Sequence, residues 1–203
     1  MAPRTPSASI PTRVILASAS PRRKDLLDEI GLSFIVVPSD IDESVRPGEA
    51  PVDYVRRLAV EKATVATTAD GDLVIAADTT VDVDGEILAK PDDQADARRM
   101  LKMLSGRAHR VHTGLAVRYR DQTVAQVGST FVKLQPITDE MMEWYLATGE
   151  SMGKAGAYAI QGEAAVLVDG IQGSITNVIG LPLALLDQLM SMVGVSLAAL
   201  ADV

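Results

Sequence analysis

The chain has 203 residues, which is enough for one domain, and its hydrophobic content of 47% with 3% aromatic residues predicts an aliphatic core. Its net charge of −8 argues against binding DNA or RNA as a polymer, since that needs an extended basic face. The absence of cysteine excludes disulfides, thiol catalysis and thiolate metal sites, and it fits a reducing compartment.

Membrane attachment and secretion find no support in the sequence. No apolar run approaches the ~20 residues that span a membrane. Residues 1–13 lack the apolar segment of a signal peptide and are rich in Pro, Ser and Thr. We therefore expect a flexible N-terminal tail over residues 1–13, a single domain over residues 14–203, and a cytoplasmic location.

The first strand and helix carry an unusual cluster of basic residues. Residues 14–17 are typical of a short strand, and Ser20-Pro21 is a favourable N-cap and first helical position. Arg22 and Arg23 then lie in the first turn, where the helix dipole disfavours each cation by roughly 0.3–1 kcal/mol. Either this is a solvated basic turn, or an anion binds there to free amides, serine hydroxyls and guanidinium groups.

A lysine interrupts the apolar face of the second predicted helix. Residues 33–38 predict a strand, an acidic loop containing Glu43 follows, and residues 51–70 predict a helix with an apolar stripe. Lys62 falls on that stripe. A lysine in this position usually packs its stem on the core and keeps its ammonium in water, but it could equally push the charge into a cleft.

Residues 73–91 form the centre of the predicted site. The apolar run 73–77 is typical of a buried strand, and it ends abruptly on Asp78. Asp84-Gly85 favours a tight hairpin turn, after which Lys90 follows. A carboxylate at the end of a buried strand and a lysine one hairpin later predict one wall of an active site.

The rest of the chain predicts an alternation of helices and strands. His109 and His112 lie three residues apart on a strand and point to opposite faces, so they cannot bind one metal ion. Gln161 is a candidate for reading a base edge, because its amide offers a donor and an acceptor. Asp82 is assigned to the hairpin surface. The predicted elements are a helix over 92–104, strands over 115–117, 123–134 and 164–168, a helix capped by Thr138, and a final helix over 183–193.

One group of polar residues has no ordinary structural explanation. One carboxylate and four cations beside strand ends or core-facing stripes suit a polyphosphate, whose reaction needs cationic stabilisation. Asp78 and Glu43 could also supply oxygen ligands to Mg²⁺ or Mn²⁺, and a carboxylate could deprotonate water. These residues predict a metal-assisted hydrolase or transferase acting on a phosphorylated small molecule. The group consists of Ser18, Ser20, Arg22, Arg23, Lys62, Asp78 and Lys90.

The order of short motifs resembles the Maf family of nucleoside triphosphate pyrophosphatases from about Val14 to Val193. Each motif alone is weak evidence, but six in the right order are specific. An extra N-terminal tail is the one departure, and it puts no catalytic residue in doubt. The motifs are S-x-S-P-R-R at 18–23, A-D-T-x-V at 77–81, K-P at 90–91, H-x-V-x-T-G at 109–114, G-K-A-G-A-Y-x-I-Q-G at 153–162 and N-V-x-G-L-P at 177–182.

The resemblance implies an α/β fold like that of inosine triphosphatase, with an elongated, bent mixed β-sheet flanked by helices, and two lobes around a central cleft. It also implies a homodimer. The implied reaction is hydrolysis of a nucleoside triphosphate between the α and β phosphates, which gives the monophosphate and pyrophosphate. A divalent metal cation, Mg²⁺ or Mn²⁺, is the implied cofactor.

The resemblance also assigns roles to individual residues. Asp78 matches the general base, and Glu43 with Asp78 matches the metal-site carboxylates. Arg22, Thr79 and Gln161 match selectivity positions, and these residue types resemble the branch acting on dTTP and UTP. Family members are linked to modified pyrimidine nucleotides and to arrest of septum formation. The matching phosphate-handling residues are Ser18, Arg22, Arg23, Lys62 and Lys90, with Ser20 in the same loop.

Three other functions stay open on the sequence alone. One is a pyrophosphatase of the same kind with a different base specificity. A second is a nucleotidyltransferase that uses the motif at 18–23 as a triphosphate loop, which would need a second substrate to turn over. A third is a non-enzymatic regulator of cell division, whose effect would survive the loss of Asp78.

Overall fold

A computed structural model describes residues 10–201 of the chain, and within them a mixed sheet of seven strands runs through the centre. The strands are β1 (Val14–Leu16), β2 (Ile35–Val36), β3 (Leu73–Val83), β4 (Glu86–Leu88), β5 (Ala108–Tyr119), β6 (Gln122–Leu134) and β7 (Val168–Gln172). The helices are α1 (Pro21–Glu29), α2 (Pro51–Val65), α3 (Gln94–Leu104), α4 (Asp139–Ala147), α5 (Ile175–Ile179) and α6 (Leu183–Met192).

The sheet has the order β2-β1-β3-β5-β6-β7, and β4 pairs with the far end of β3. β1 pairs in parallel with both β2 and β3, whereas β3, β5, β6 and β7 pair antiparallel. The strands β3, β5 and β6 have 11, 12 and 13 residues, which is long for a globular protein and makes the sheet elongated. These features confirm the predicted α/β fold with a mixed sheet flanked by helices.

The core divides along the length of β3 and β5 into two main clusters. One surrounds β1, α1 and α6 and includes Leu16, Leu27 and Leu189. The other surrounds the second half of β3 with α3 and α4 and includes Leu101 and Tyr145. Because each half buries its own apolar residues, the molecule has two lobes that share one sheet. Most of these side chains are aliphatic, as the composition predicts.

Helix α2 lies unusually close to the sheet, and Gly114 is the reason. A Cβ atom on Gly114 would lie 2.1 Å from the backbone oxygen of Val55, so a larger residue would push the helix away. Gly114 is the register partner of Asp78 on the neighbouring strand. The close approach therefore brings the buried face of α2, including Lys62, directly over the end of the apolar part of β3.

Several predicted elements differ from the structure. The strand expected to end at Asp78 continues to Val83, so Asp78 lies within β3. The strand predicted over 33–38 is reduced to Ile35–Val36, an exposed sheet edge, and the helix predicted over 51–70 ends at Val65. The strand predicted over 164–168 is instead a 3₁₀ helix, Glu163–Leu167. An apolar run of this length fits a strand or a helical turn, and the three-residue spacing of buried Ala164 and Leu167 favours the turn.

Asp82 is buried, which corrects its assignment to the hairpin surface. One of its carboxylate oxygens accepts from the Gly85 amide at 2.7 Å, and the other lies 3.1 Å from His112 Nε2. The hairpin turn itself is as predicted, since Asp84 and Gly85 have φ values of 54° and 89°. The His112 Nδ1 atom lies 2.7 Å from Ser129 Oγ, so this network joins three adjacent strands.

The predicted tail over residues 1–13 falls mainly outside the described residues. Of its last residues, Thr12 donates to the Gly71 oxygen at 2.9 Å, and Arg13 forms an ion pair with buried Asp72 at 2.6 Å. In the part of the chain that the structure covers, none of the helices combines the length and the apolar character needed to cross a membrane.

We expect the substitution Gly114→Ala to lower the free energy of unfolding by about 1–3 kcal/mol, because the new methyl group overlaps the backbone of α2. Gly170→Ala is the matched control, since a Cβ there has no neighbour within 4 Å. Urea unfolding of both variants measures the difference. Equal stability of the two variants would show that α2 does not need the glycine.

A second prediction concerns buried His109, whose Nε2 lies 2.7 Å from the Tyr158 hydroxyl. Burial, assisted by Arg107, lowers the pKa of His109 to about 4. The unfolded chain, with a histidine pKa near ~6.5, then binds a proton between pH ~6.5 and ~4 that the folded chain does not bind. The free energy of unfolding should therefore fall as the pH decreases through this window.

The control for this prediction is His109→Gln, which keeps a neutral polar side chain. Between pH 7 and pH 4.5, the parent protein should lose roughly 2 kcal/mol more of its unfolding free energy than the variant. Urea unfolding at several pH values gives both curves. Parallel curves would contradict the assignment of a neutral, buried imidazole.

Candidate active site

A cleft of about 840 Å³ opens between the two lobes. It is formed by the β1–α1 loop, the middle of β3, the segment after β4 and the turns that follow α4. The structure brings together every residue that the sequence predicts for the site. These are Ser18, Ser20, Arg22, Arg23, Glu43, Lys62, Asp78, Thr79, Lys90 and Gln161, all of which line the cleft.

Arg23 is the structural anchor of the β1–α1 loop. Its side chain is buried, and it donates to the Gly180 oxygen at 2.7 Å, to Ser18 Oγ at 2.9 Å and to Thr79 Oγ1 at 3.0 Å. Burial lowers the pKa of Arg23, against the attraction of Asp78. Three of its five donors are therefore used inside the protein, and the remaining N–H groups lie beside the cleft.

Thr79 is held in place by hydrogen bonds rather than directed freely into the cleft. Its hydroxyl lies 3.0 Å from the Arg23 guanidinium and 2.9 Å from Thr113 Oγ1. The Thr113 hydroxyl donates in turn to the backbone oxygen of Asn177 at 2.8 Å. The hydroxyl that the resemblance assigns to selectivity therefore also connects β3 with β5 and with α5.

The start of α1 provides donors that the helix itself does not use. Pro21 is the first helical residue and Ser20 is the N-cap, as predicted, but the Ser20 hydroxyl makes no capping hydrogen bond. The side chain of Arg22 is half-buried, and within residues 10–201 it makes no hydrogen bond or ion pair. Burial lowers the pKa of Arg22, against the attraction of Glu150. Free helix amides and an unpaired guanidinium suit an anion.

Lys62 joins the two predicted acidic residues of the site. Its Nζ lies 2.6 Å from Asp78 Oδ1 and 2.6 Å from Glu43 Oε1. The Lys62 side chain is 8% exposed and that of Asp78 is 12% exposed, so this pair is largely shielded from solvent. The sequence left two positions open for the Lys62 ammonium, in water or in a cleft, and the structure confirms the cleft. Lys90 lies 3.7 Å from Glu43 Oε2 and is exposed, at the rim.

Charge in the cleft differs in sign from the charge of the whole chain. Its lining contains five cations and three carboxylates, an excess of two positive charges, whereas the chain has a net charge of −8. Burial raises the pKa of Glu43, but the hydrogen bond and attraction of Lys62, with Lys90 and Arg23, outweigh it, so the pKa is lowered. A local positive excess within an acidic protein is typical of a site for a compact anion.

Four ionisable residues of the cleft were missed by the sequence interpretation. The Tyr54 hydroxyl donates to the backbone carbonyl oxygen of Glu43 at 2.9 Å, and burial raises the pKa of Tyr54 to about 12. Glu150, Lys154 and Tyr158 line the cleft from the turns after α4. Lys154 and Tyr158 fall within the motif at 153–162, so the motif could have identified them, whereas nothing in the local sequence marks Glu150.

The acidic pair has the donor chemistry of a site for a hard divalent cation. Glu43 and Asp78 converge on one point, the Lys62 ammonium, and each carboxylate keeps one oxygen that Lys62 does not bind. Across residues 10–201, no three His, Cys, Asp or Glu side chains are arranged to hold a metal. Mg²⁺ commonly uses one or two carboxylates and takes its other ligands from phosphates and water, so the pair fits.

The fold and the cleft together define an α/β protein with a cationic site suited to a polyanionic small molecule. The family model described as "Maf-like protein" matches residues 13–193, and the chain therefore belongs to the Maf family. The family that the motif order indicated is confirmed.

Several relatives are similar over most of the chain. A dTTP/UTP pyrophosphatase from Anaeromyxobacter sp. (strain Fw109-5) is 49% identical over 187 residues, which is 90% of this chain and 90% of that protein. A dTTP/UTP pyrophosphatase from Geobacter sulfurreducens is 54% identical over 175 residues, 84% of this chain and 91% of that protein. A solved HAM1 protein from Coxiella burnetii aligns with a TM-score of 0.42 and 18% identity, covering 60% of this chain and 72% of that one.

We expect Lys62→Met to lower the free energy of unfolding at pH 7 by roughly 3 kcal/mol, because it leaves two carboxylates without their shared cation. Lys90→Met is the control, since its exposed and longer ion pair should contribute less than ~0.5 kcal/mol. Urea unfolding that shows no difference between the variants would contradict this view of Lys62.

Proposed function

We propose that the protein is a nucleoside triphosphate pyrophosphatase that hydrolyses dTTP and UTP to the monophosphate and pyrophosphate. The observation that carries the proposal is Asp78, a buried carboxylate in the middle of strand β3 that faces a cleft lined by five cations. The names of the relatives support the reaction and the two substrates. The family match extends over the whole cleft, since it covers residues 13–193.

The cations of the cleft are suited to the triphosphate. Arg22 makes no hydrogen bond or ion pair within the described chain and offers a planar pair of donors, which bind phosphate oxygens well. The first-turn amides of α1 and the hydroxyls of Ser18 and Ser20 lie beside it. Transition-state charge in phosphoryl transfer is spread over the non-bridging oxygens, so fixed donors around them lower the barrier.

Asp78 is suited to act on the attacking water. Its Oδ1 accepts from Lys62, and Oδ2 makes no hydrogen bond within residues 10–201. Because Lys62 fixes the carboxylate from one side, Oδ2 can orient a water molecule and accept its proton. We assign Asp78 as the general base, and Lys62 as the residue that fixes its orientation and binds phosphate oxygens.

Glu43 and Asp78 would hold a divalent cation, Mg²⁺ or Mn²⁺, Glu43 through Oε2, which Lys62 leaves free, and Asp78 through Oδ1, so that Oδ2 stays available for the water. Such an ion supplies electrostatic stabilisation of the charge on the phosphoryl oxygens. Lys90 at the rim adds a further positive charge that can approach the leaving pyrophosphate.

Base selection is assigned to Arg22, Thr79 and Gln161. Gln161 is exposed and lines the cleft, and its amide can match the mixed donor and acceptor edge of uracil or thymine. Thr79 acts through its hydroxyl, which hydrogen bonds to Arg23 and Thr113 hold in place. The homodimer, the cytoplasmic location and the link to septum formation stay predictions.

The test is incubation with a panel of pyrimidine and purine nucleoside triphosphates and Mg²⁺ or Mn²⁺, with pyrophosphate and orthophosphate assayed separately. We expect pyrophosphate as the primary product, with dTTP and UTP the preferred substrates. Orthophosphate as the primary product would contradict cleavage between the α and β phosphates. Turnover only with a second organic substrate would favour a nucleotidyltransferase.

The substitution Asp78→Asn should reduce the rate of pyrophosphate release by at least ~10²-fold, as expected for the loss of a general base or metal ligand. Asp84→Asn makes the same chemical change at the exposed hairpin turn on the same strand pair and should leave the rate unchanged. Near-normal turnover of Asp78→Asn would remove this residue from the mechanism.

A further inference from the structure

We propose that Glu150 is a positioning residue for base selection, because its carboxylate fixes the turn that carries Gln161. The inference rests on the proposed function, in which Gln161 contacts the base. Within residues 10–201, Glu150 forms no hydrogen bond or ion pair with Glu43, Lys62 or Asp78, and its role concerns the turn that carries Gln161.

Glu150 accepts hydrogen bonds from the backbone immediately after Gln161. Its Oε1 lies 3.2 Å from the Glu163 amide, and its Oε2 lies 3.0 Å from the Ala164 amide. These amides belong to the first turn of the 3₁₀ helix Glu163–Leu167, where intrahelical partners are lacking. Each carboxylate oxygen therefore accepts from one short stretch of backbone, two and three residues beyond Gln161.

Gly162 shows how closely the carboxylate and this turn are fitted. Its φ is 94°, which strongly favours glycine, and a Cβ atom there would lie 1.9 Å from Glu150 Oε1. The carboxylate thus occupies the space that any other side chain at position 162 would take. Since Gln161 is the preceding residue, its backbone is held by the same contact.

Glu150 also interacts with two cations that line the cleft. Its backbone oxygen accepts from Lys154 Nζ at 2.6 Å, and its charge attracts Arg22. Burial raises the pKa of Glu150, but hydrogen bonds from Ala164 and its neighbours outweigh this, so the pKa is lowered. An ionised carboxylate is the stronger acceptor for the two amides.

Fixing the turn has a consequence for specificity. Gln161 is exposed and makes no hydrogen bond of its own within residues 10–201, so only its backbone position aims the amide at a base. Hydrogen bonds weaken steeply with poor alignment, and an amide that moves freely would accept several base edges. A carboxylate that merely stabilised the 3₁₀ helix would affect stability but would not discriminate between bases.

The test compares the binding of two non-hydrolysable probes, the α,β-methylene analogues of dTTP and dGTP, by calorimetry. The proteins are the parent, Glu150→Gln, Gln161→Ala and the double variant, and Glu140→Gln is the control. That control makes the same chemical change on the exposed start of α4, and we expect it to bind like the parent. Thermal unfolding of each variant checks that the protein is folded.

We expect Glu150→Gln to weaken binding of the dTTP analogue about tenfold, because one backbone amide loses its acceptor. The affinity for the dGTP analogue should change less than ~2-fold. In the Gln161→Ala background, Glu150→Gln should add less than a ~2-fold change, since both substitutions remove one interaction. Equal weakening of both analogues, or additive effects in the double variant, would overturn the inference.

The outcome is separable from that of the proposed function. Absence of pyrophosphate release from any nucleotide, together with the expected binding pattern, would reject the reaction and keep the positioning role of Glu150. Normal pyrophosphate release by the parent protein, together with unchanged analogue selectivity in Glu150→Gln, would support the reaction and reject the positioning role of Glu150. Failure of the parent protein to distinguish the two analogues would also overturn the inference.

Discussion

The site depends on the ion pairs of one buried lysine. Lys62 places its ammonium 2.6 Å from Asp78 and 2.6 Å from Glu43, and so joins a helix, a strand and a loop at one point. A lysine buried on an apolar helix face is costly unless its charge is paired. That pairing requires α2 to lie close to the sheet, which Gly114 permits beside Asp78. The close approach of α2 to the sheet is therefore needed both for the packing of the helix and for the ion pairs of the site.

The cleft combines groups that are held rigidly with groups that are left available. Arg23 is held by Gly180, Ser18 and Thr79, and these contacts fix the loop before α1. Arg22, next in the chain, has no such partner in the described chain and faces the same cleft. A fixed framework that carries unpaired donors costs little reorganisation when an anion binds, which is the arrangement that favours electrostatic catalysis.

The parts of the site that the sequence predicts are those where a local rule is broken. Arg22 in a first helical turn and Lys62 on an apolar stripe both conflict with ordinary helix chemistry, so both were found. Glu150 lies in a loop, where a carboxylate conflicts with nothing, and its contact with Ala164 depends on tertiary structure. The 3₁₀ helix that contains Ala164 was predicted as a strand, because a short apolar run does not show whether its period is that of a strand or of a helical turn.

The central claim is that Asp78 directs water to the α-phosphorus, and the most direct measurement is hydrolysis of dTTP in ¹⁸O-labelled water with mass analysis of the products. Attack at the α-phosphorus predicts one labelled oxygen in the thymidine monophosphate and none in the pyrophosphate. Label in the pyrophosphate would show attack at the β-phosphorus. That result would contradict the proposed arrangement of the substrate beside Asp78, even with the same final products.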